Sequence, residues 1–232
     1  MSKKEIEIRR KWHDAGFVPI SRRKDLSLSI LGLKLDVPKE VYAPQPKAPQ
    51  LLGRAVLKEV KESDRVLDVG TGSGINAILA ASKSSNVTAI DINPIAIKSA
   101  TYNAKLNGVG SRITFKKSDV FQNVRGKFDL IIFNPPFRWF RPRDLLEVSV
   151  ADENFAALTS FFRNVKSHLA DEGRILLFYG DTGDMRYLKF LIKKSGYKAH
   201  VLSRFYLWRY GRKWNYYAFK LTRFSSLPTS ER

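Results

Sequence analysis

A chain of 232 residues can bury a full hydrophobic core but leaves no room for a second large domain. Its formal charge of +19, from 41 Lys and Arg against 22 Asp and Glu, favours a polyanionic partner such as nucleic acid. Without cysteine there is neither a disulfide framework nor a thiolate metal site, His13, His168 and His200 are too scattered for ligand spacing, and no apolar run reaches membrane-spanning length, so a soluble cytoplasmic protein working without metal or membrane is expected.

Residues 1–47 read as a basic extension. They begin with a helical stretch, Lys3 to Lys11, and continue in Leu26 to Val37, whose alternation around Gly32 predicts a small hairpin. Pro38, Pro44, Pro46 and Pro49 mark an extended connector. A main domain occupies 48–224, opening with a helix on which Leu51, Leu52, Ala55, Val56 and Val60 are spaced. Strands are expected at Arg65–Val69, Asn86–Asp91, Arg112–Lys116, Phe128–Phe133 and Arg174–Tyr179, with helical spacing between them, as in Ile95–Leu106 and Phe155–Leu169. Such alternation predicts an α/β fold, a doubly wound parallel sheet with helices on both faces. Lys198–Tyr206 and Trp214–Leu221, separated by Gly211 without a helix-length insert, add an antiparallel hairpin at the sheet edge and bring the strand count to seven. A polar tail occupies 225–232.

Three strand ends carry chemistry. Val66 to Gly74 ends a buried strand in a glycine-rich turn, Gly70-Thr71-Gly72-Ser73-Gly74, where backbone can approach a ligand and N–H groups collect. The dinucleotide fingerprint requires a third glycine at position 75, which is Ile75, so a nicotinamide or flavin loses its best support. Asp91 closes the next strand, 17 residues after Gly74, placed to accept both hydroxyls of a ribose or to act as a helix cap; Asn93 before Pro94 is the better cap. Ser118-Asp119, after the third strand, is similarly either a cap or a reader of an adenine amine.

Asn134-Pro135-Pro136-Phe137 comes directly after the fourth strand. Two consecutive prolines supply no N–H, so the carbonyls here stay available as acceptors, beside a side-chain amide and a ring. An amide or nucleobase amine is a poor nucleophile because its lone pair is delocalised. The Asn134 side-chain oxygen and the Pro135 carbonyl can accept its two N–H bonds and aim the lone pair, while Phe137 stacks on the planar group.

With these motifs the chain resembles the class I S-adenosylmethionine-dependent methyltransferases, specifically the HemK-type and small-domain N-methyltransferases, from about Leu31 to Leu221. The resemblance implies a Rossmann-like fold and S-adenosylmethionine as cofactor. It implies that Asp68, Gly70, Thr71, Gly72 and Gly74 surround the methionine part, Asp91 and Asn93 lie at the ribose, Ile92 packs on the adenine, and Ser118 and Asp119 meet the adenine amine. Asn134 to Phe137 match the catalytic motif, with Asn134 also close to the cofactor.

The residues after Phe137 point to the substrate. Arg138, Trp139, Arg141 and Arg143 interleave cations with rings, a combination that holds a phosphate backbone and stacks a base, and are expected at the pocket mouth. From Arg186 to Arg223 there are eleven Lys and Arg and no acid. An exocyclic amine of a base in rRNA or tRNA is therefore the leading substrate. The alternative is the glutamine side chain of a translation protein, as in HemK-type enzymes. Against it stand Tyr42 to Pro49, without the Arg, Glu and Thr usual in HemK relatives, a front segment short for their helical recognition domain, and Phe137 where Tyr is usual. A non-catalytic RNA-binding module is a third reading. A small zinc-binding activator subunit, which some relatives need, is a further partner the resemblance implies.

Overall fold

The computed structural model describes residues 3–44, 48–209 and 211–224; the polar tail and the middle of the connector, Pro46 included, lie outside them. Helix α1 runs over Lys3–Ser21, ten residues beyond the stretch expected from its basic start. The hairpin β1 (Leu26–Ile30) and β2 (Leu33–Val37) forms as read, Leu26 opposite Val37 and Ile30 opposite Leu33.

Helix α2 (Ala48–Glu59) leads into β3 (Arg65–Val69), α3 (Ile75–Ala81), β4 (Asn86–Asp91), α4 (Pro94–Leu106), β5 (Ile113–Lys117) and β6 (Phe128–Phe133). After a long excursion come α5 (Ala156–His168), β7 (Leu169–Gly180), α6 (Met185–Lys194), β8 (Tyr197–Arg209) and β9 (Arg212–Arg223). The main sheet has seven strands in the order β5-β4-β3-β6-β7-β9-β8. Pairing is parallel from β5 through β7 and antiparallel at β7/β9 and β8/β9.

The central strands are continuous apolar runs because both faces are covered. Val66, Leu130, Ile132, Leu176 and Phe178 point to one side, into a core with Leu52 and Val56 of α2, Ile78 of α3, Leu35 of the small hairpin and Trp12 of α1. Leu67, Val69, Ile131, Phe133, Ile175 and Leu177 point to the other, against Phe161 and Phe162 of α5 and Leu188, Leu191 and Ile192 of α6.

Two departures from the sequence expectation have local causes. Strand β7 begins at Leu169, five residues earlier than read, because Leu169 pairs with Phe128 across an irregular register before the regular ladder starts at Leu130 opposite Arg174. Arg174 itself is buried, 7% exposed, and held by Asp64 at 2.6 Å and by the Glu59 carbonyl at the end of α2. Helix α3 carries no polar face at all; every residue in it is buried.

Candidate active site

From β3 the chain proceeds to β4 and β5 on one side and to β6 on the other, so β3 and β6 flank the point where strand order reverses. Open α/β sheets bind ligands there, outside the carboxyl ends of the strands. A cavity of about 510 Å³ occupies that position. Gly70, Thr71 and Gly72 from the end of β3, Asp91, Ile92 and Asn93 from β4, Ser118 and Asp119 from β5, and Asn134 to Arg138 from β6 all line it.

The glycine turn is built on left-handed backbone, with φ of 67° at Gly70, 55° at Gly72 and 88° at Gly74. A Cβ at Gly70 or Gly72 would meet nothing within 4 Å, so these two are required by conformation alone. Gly74 differs: its Cβ would stand 2.9 Å from the Ala100 Cβ, so this glycine lets α3 approach α4, and it does not line the cavity.

Asp68 lies behind the turn, 1% exposed and off the cavity wall. Its Oδ2 accepts from Thr71 Oγ1 at 2.6 Å, whereas its Oδ1 has no partner among the described residues. Burial pushes its pKa up to about 7, with the Thr71 hydroxyl and the Ala77 backbone N–H opposing and the neighbouring Asp91 reinforcing. The Asn76 Oδ1, buried and also without a partner among the described residues, belongs to a side chain that does line the cavity.

Asp91 accepts from Gly72 N at 2.8 Å on Oδ2 and from Asn93 N at 2.9 Å on Oδ1, which leaves each oxygen lone pairs for a further donor. Burial raises its pKa, with the backbone N–H groups of Asn93, Gly72 and Ile92 pulling it down. Asn93 is the cap of α4, accepting from Ile95 N, and its amide also donates to the Glu40 carbonyl, tying the connector across the cavity. Ile92 is 40% exposed, an apolar face offered to the cavity. The Ser118 hydroxyl is taken up by its own turn, donating to the Val120 carbonyl and accepting from Asn123 N, while Asp119 is exposed.

Asn134 is exposed at the end of β6, with Pro135 buried beside it. Phe137 tilts against Tyr179 at 5.1 Å and Phe178 at 6.1 Å; Tyr216 stacks on Phe178 at 6.0 Å and on Phe205 at 5.0 Å. The result is an aromatic wall next to the amide.

The run after Phe137 does not act as one strip. Of Arg138, Trp139, Arg141 and Arg143, Arg138 alone lines the cavity. Its backbone bonds to Val150 and Asp152 as the segment folds back, and Trp139 packs on Phe140 at 4.8 Å. Arg141 is exposed, and Arg143 grips the buried Glu147 at 2.7 Å and stands over Phe17. His13 of α1 joins this group, with Nε2 2.5 Å from Glu147 Oε1 and Nδ1 3.0 Å from Arg138 Nη1. Because Arg138 can only donate, the contact assigns the proton to His13 Nε2. Burial lowers the His13 pKa, which keeps the ring neutral as this arrangement needs, and the Arg143 and His13 hydrogen bonds bring Glu147 down to about 2 against the opposing effect of burial.

Trp12, Tyr42, Asn76 and Phe178 line the cavity without having been singled out by the sequence, whereas Phe205 and Tyr216 belong to the aromatic and basic run from Arg204 to Tyr217, which the sequence leaves open between substrate contact and buried core. Asn76 had a readable signal, a polar side chain opening a buried helix one turn after the glycines. Trp12 and Phe178 had none, since single rings on a helix or a buried strand are equally compatible with a plain core.

This is the architecture of the class I S-adenosylmethionine-dependent methyltransferases. Within that class the chain belongs to the methyltransferase small domain family, which it matches over residues 47–195. It is 46% identical over 111 residues to a Methanocaldococcus jannaschii protein named as a protein N5-glutamine methyltransferase, covering 47% of this chain and 54% of that one. It is 32% identical over 161 residues to the release factor glutamine methyltransferase of Lactococcus lactis, covering 64% of this chain and 59% of the relative. The chain thus spans little more than half the length of these relatives. Among solved structures, the Methanocaldococcus jannaschii Trm5 in complex with adenosine is similar with a TM-score of 0.66 and 22% identity, over 87% of this chain and 56% of that one, a likeness of fold.

S-adenosylmethionine is the cofactor of the class, and the residues present fit it. The Asn76 Oδ1, a buried acceptor without a partner among the described residues on a side chain that lines the cavity, suits the ammonium of its amino-acid part, with the Asp68 carboxyl group behind the turn. The left-handed glycine turn leaves open backbone beside them, and Asp91 retains lone pairs for ribose hydroxyls. Among the described residues no helix is long and apolar enough to cross a membrane.

Proposed function

We propose that this chain methylates an exocyclic amine of a base in structured RNA, rRNA or tRNA. One observation carries the reading: the exposed amide of Asn134 stands at the cavity beside Pro135 and against the wall formed by Phe137, Phe178 and Tyr216. In this proposal the Asn134 Oδ1 and the Pro135 carbonyl accept the two N–H bonds of a planar amine. They hold its lone pair toward the neighbouring cofactor space, and Phe137 fixes the plane of the base. When bound, S-adenosylmethionine supplies an electrophilic methyl group. The acceptors do the rest by position, and the aromatic wall excludes water from the nitrogen.

Gly70, Thr71, Gly72, Asp91, Ile92, Asn93 and Asp119 are the proposed cofactor contacts on the wall, with Asp68 acting from behind the turn. Arg138 is the proposed substrate cation nearest the amine. RNA is favoured over protein by the acid-free basic segment from Arg186 to Arg223. A second reading, methylation of a glutamine side chain, has specific support in the names of the two relatives above, and its planar carboxamide fits the same acceptors. Transfer of labelled methyl groups into separated rRNA, tRNA and protein fractions, followed by nucleoside and amino-acid analysis, distinguishes them. Label in an N-methylated nucleoside is the expected result; label in N-methylglutamine alone overturns the RNA reading.

A further inference from the structure

The β8/β9 hairpin does more than close the sheet edge. Phe133, the last residue of β6, lies opposite Leu177, and Leu177 lies opposite Phe219 of β9. Arg212, where β9 starts, is seven residues beyond Phe219, so the hairpin rises roughly 20 Å above the strand ends, on the side where Asn134 lies. Its two faces are unlike. One carries Phe205, Leu207 and Tyr216, which line the cavity, and Trp214, fully buried and stacked on Trp12 of α1 at 5.7 Å.

The opposite face carries Arg204, Tyr206 and Trp208 on β8, directly across from Tyr217, Asn215 and Lys213 on β9. Here Trp208 is 68% exposed and Tyr206 57% exposed, with the Lys213 ammonium 4.2 Å from the centre of the Tyr206 ring. A large exposed indole and phenol on a protruding ribbon are costly to leave in water unless something stacks on them. The chemistry around them names the occupant. Arg204, Arg212 and Lys213 belong to the stretch from Arg186 to Arg223 that has no acid at all, and on α6, below, Arg186, Lys189, Lys193 and Lys194 continue the same sign. Rings flanked by cations, with the neighbouring Asp181 carboxylate already taken up by the Asn215 amide at 2.7 Å, suit single-stranded nucleic acid, whose bases stack and whose phosphates pair.

We infer that the outer face of this hairpin, with Tyr206 and Trp208 as stacking platforms and Arg204 and Lys213 as phosphate contacts, is a docking rail for single-stranded RNA flanking the target base. A base that enters the cavity must leave its stack, so its neighbours arrive unpaired, and the rail holds them one ribbon thickness from the site. This deepens the proposed RNA reading and rests on it for the identity of the strand.

The test uses the full chain and labelled oligouridine, whose base has no exocyclic amine and so reports docking rather than recognition in the cavity. Fluorescence anisotropy is measured across a salt series for wild type, for the pair Tyr206→Ala with Trp208→Ala, and for the pair Arg204→Glu with Lys213→Glu. S-adenosylmethionine titration checks that each variant keeps its cofactor site. The expected result is about ten- to a hundredfold weaker binding in the alanine pair. In the charge-reversed pair the slope of log affinity against log salt falls by roughly 0.7 for each lost phosphate contact. Cofactor affinity stays unchanged in both.

Wild-type affinity in both pairs overturns the rail, as does failure of wild type to bind oligouridine, the outcome if the face instead serves a protein. The fractionated methyl-transfer experiment separates the two ideas. Label in RNA with intact binding in both pairs removes the rail alone, and label in protein with binding lost in the pairs removes the RNA substrate alone.

Discussion

Replacing Asp68 by Asn separates stability from cofactor binding at one buried atom pair. The side chain is 1% exposed, with Oδ1 lacking a partner among the described residues, and burial holds its pKa up at about 7. An unfolded Asp titrates near 3.9, so the folded chain binds this proton more tightly. The resulting contribution to stability is fully present below about pH 4 and lost as pH rises through about 7. The whole gap corresponds to about 4 kcal/mol, of which about 2–3 kcal/mol falls between pH 5 and pH 8. A neutral amide has no such dependence. Urea unfolding across this range is therefore expected to show wild type losing about 2–3 kcal/mol relative to Asp68→Asn as pH rises.

Cofactor affinity should move the opposite way. The ionised carboxylate attracts the ammonium of S-adenosylmethionine, so wild type binds it more tightly above pH 7 than below, and Asp68→Asn binds weakly and with a flatter pH profile. Calorimetric titration at the same pH values reads this directly. Parallel stability profiles for the two proteins, or equal cofactor affinity at high pH, would refute the reasoning.

Two further predictions concern the frame that positions the site. Gly74→Ala places a Cβ 2.9 Å from the Ala100 Cβ on a residue with φ of 88°, so denaturant unfolding should show a loss of about 2–4 kcal/mol; a neutral result would mean that α3 and α4 can move apart freely. Arg174→Met leaves the Asp64 carboxylate, 3% exposed, without its cation and should cost about 3–5 kcal/mol, largely recovered when Asp64→Asn is added; additive losses in the double variant would contradict a pairwise origin.

The fold was legible wherever a strand was buried on both faces and bounded by turn residues, as at Arg65–Val69, Asn86–Asp91 and Phe128–Phe133, whose ends match the structure. It was less legible where local signals point the wrong way. Asp171-Glu172-Gly173 lies within β7 ahead of the expected strand, where the ladders pass from Leu169 opposite Phe128 to Arg174 opposite Leu130 and Thr222 and leave these three residues without a partner strand position among the described residues. Helix α3 is buried all round and so has no polar stripe to reveal its period, and α6, strongly two-faced, was hidden inside a segment conspicuous for its charge.

The site divides the same way. Residues at strand ends, Asp91 and Asn134 among them, emerge from counting along the chain. Trp12 and His13 could not, because what fixes them is remote in sequence: His13 meets Glu147 across 134 residues, and Trp12 meets Trp214. The four residues after the motif illustrate the limit of composition. Arg138 and Arg143 look equivalent as cations, but only the first reaches the cavity, since the second is engaged four residues on by Glu147.

The central claim is that Asn134 grips the target amine, and single-turnover methyl transfer by Asn134→Ala tests it most directly. With cofactor affinity and unfolding free energy unchanged, the rate should fall by about a hundred- to a thousandfold, the scale of losing one aligned transition-state hydrogen bond. Transfer within about threefold of wild type would place the grip elsewhere and contradict the account.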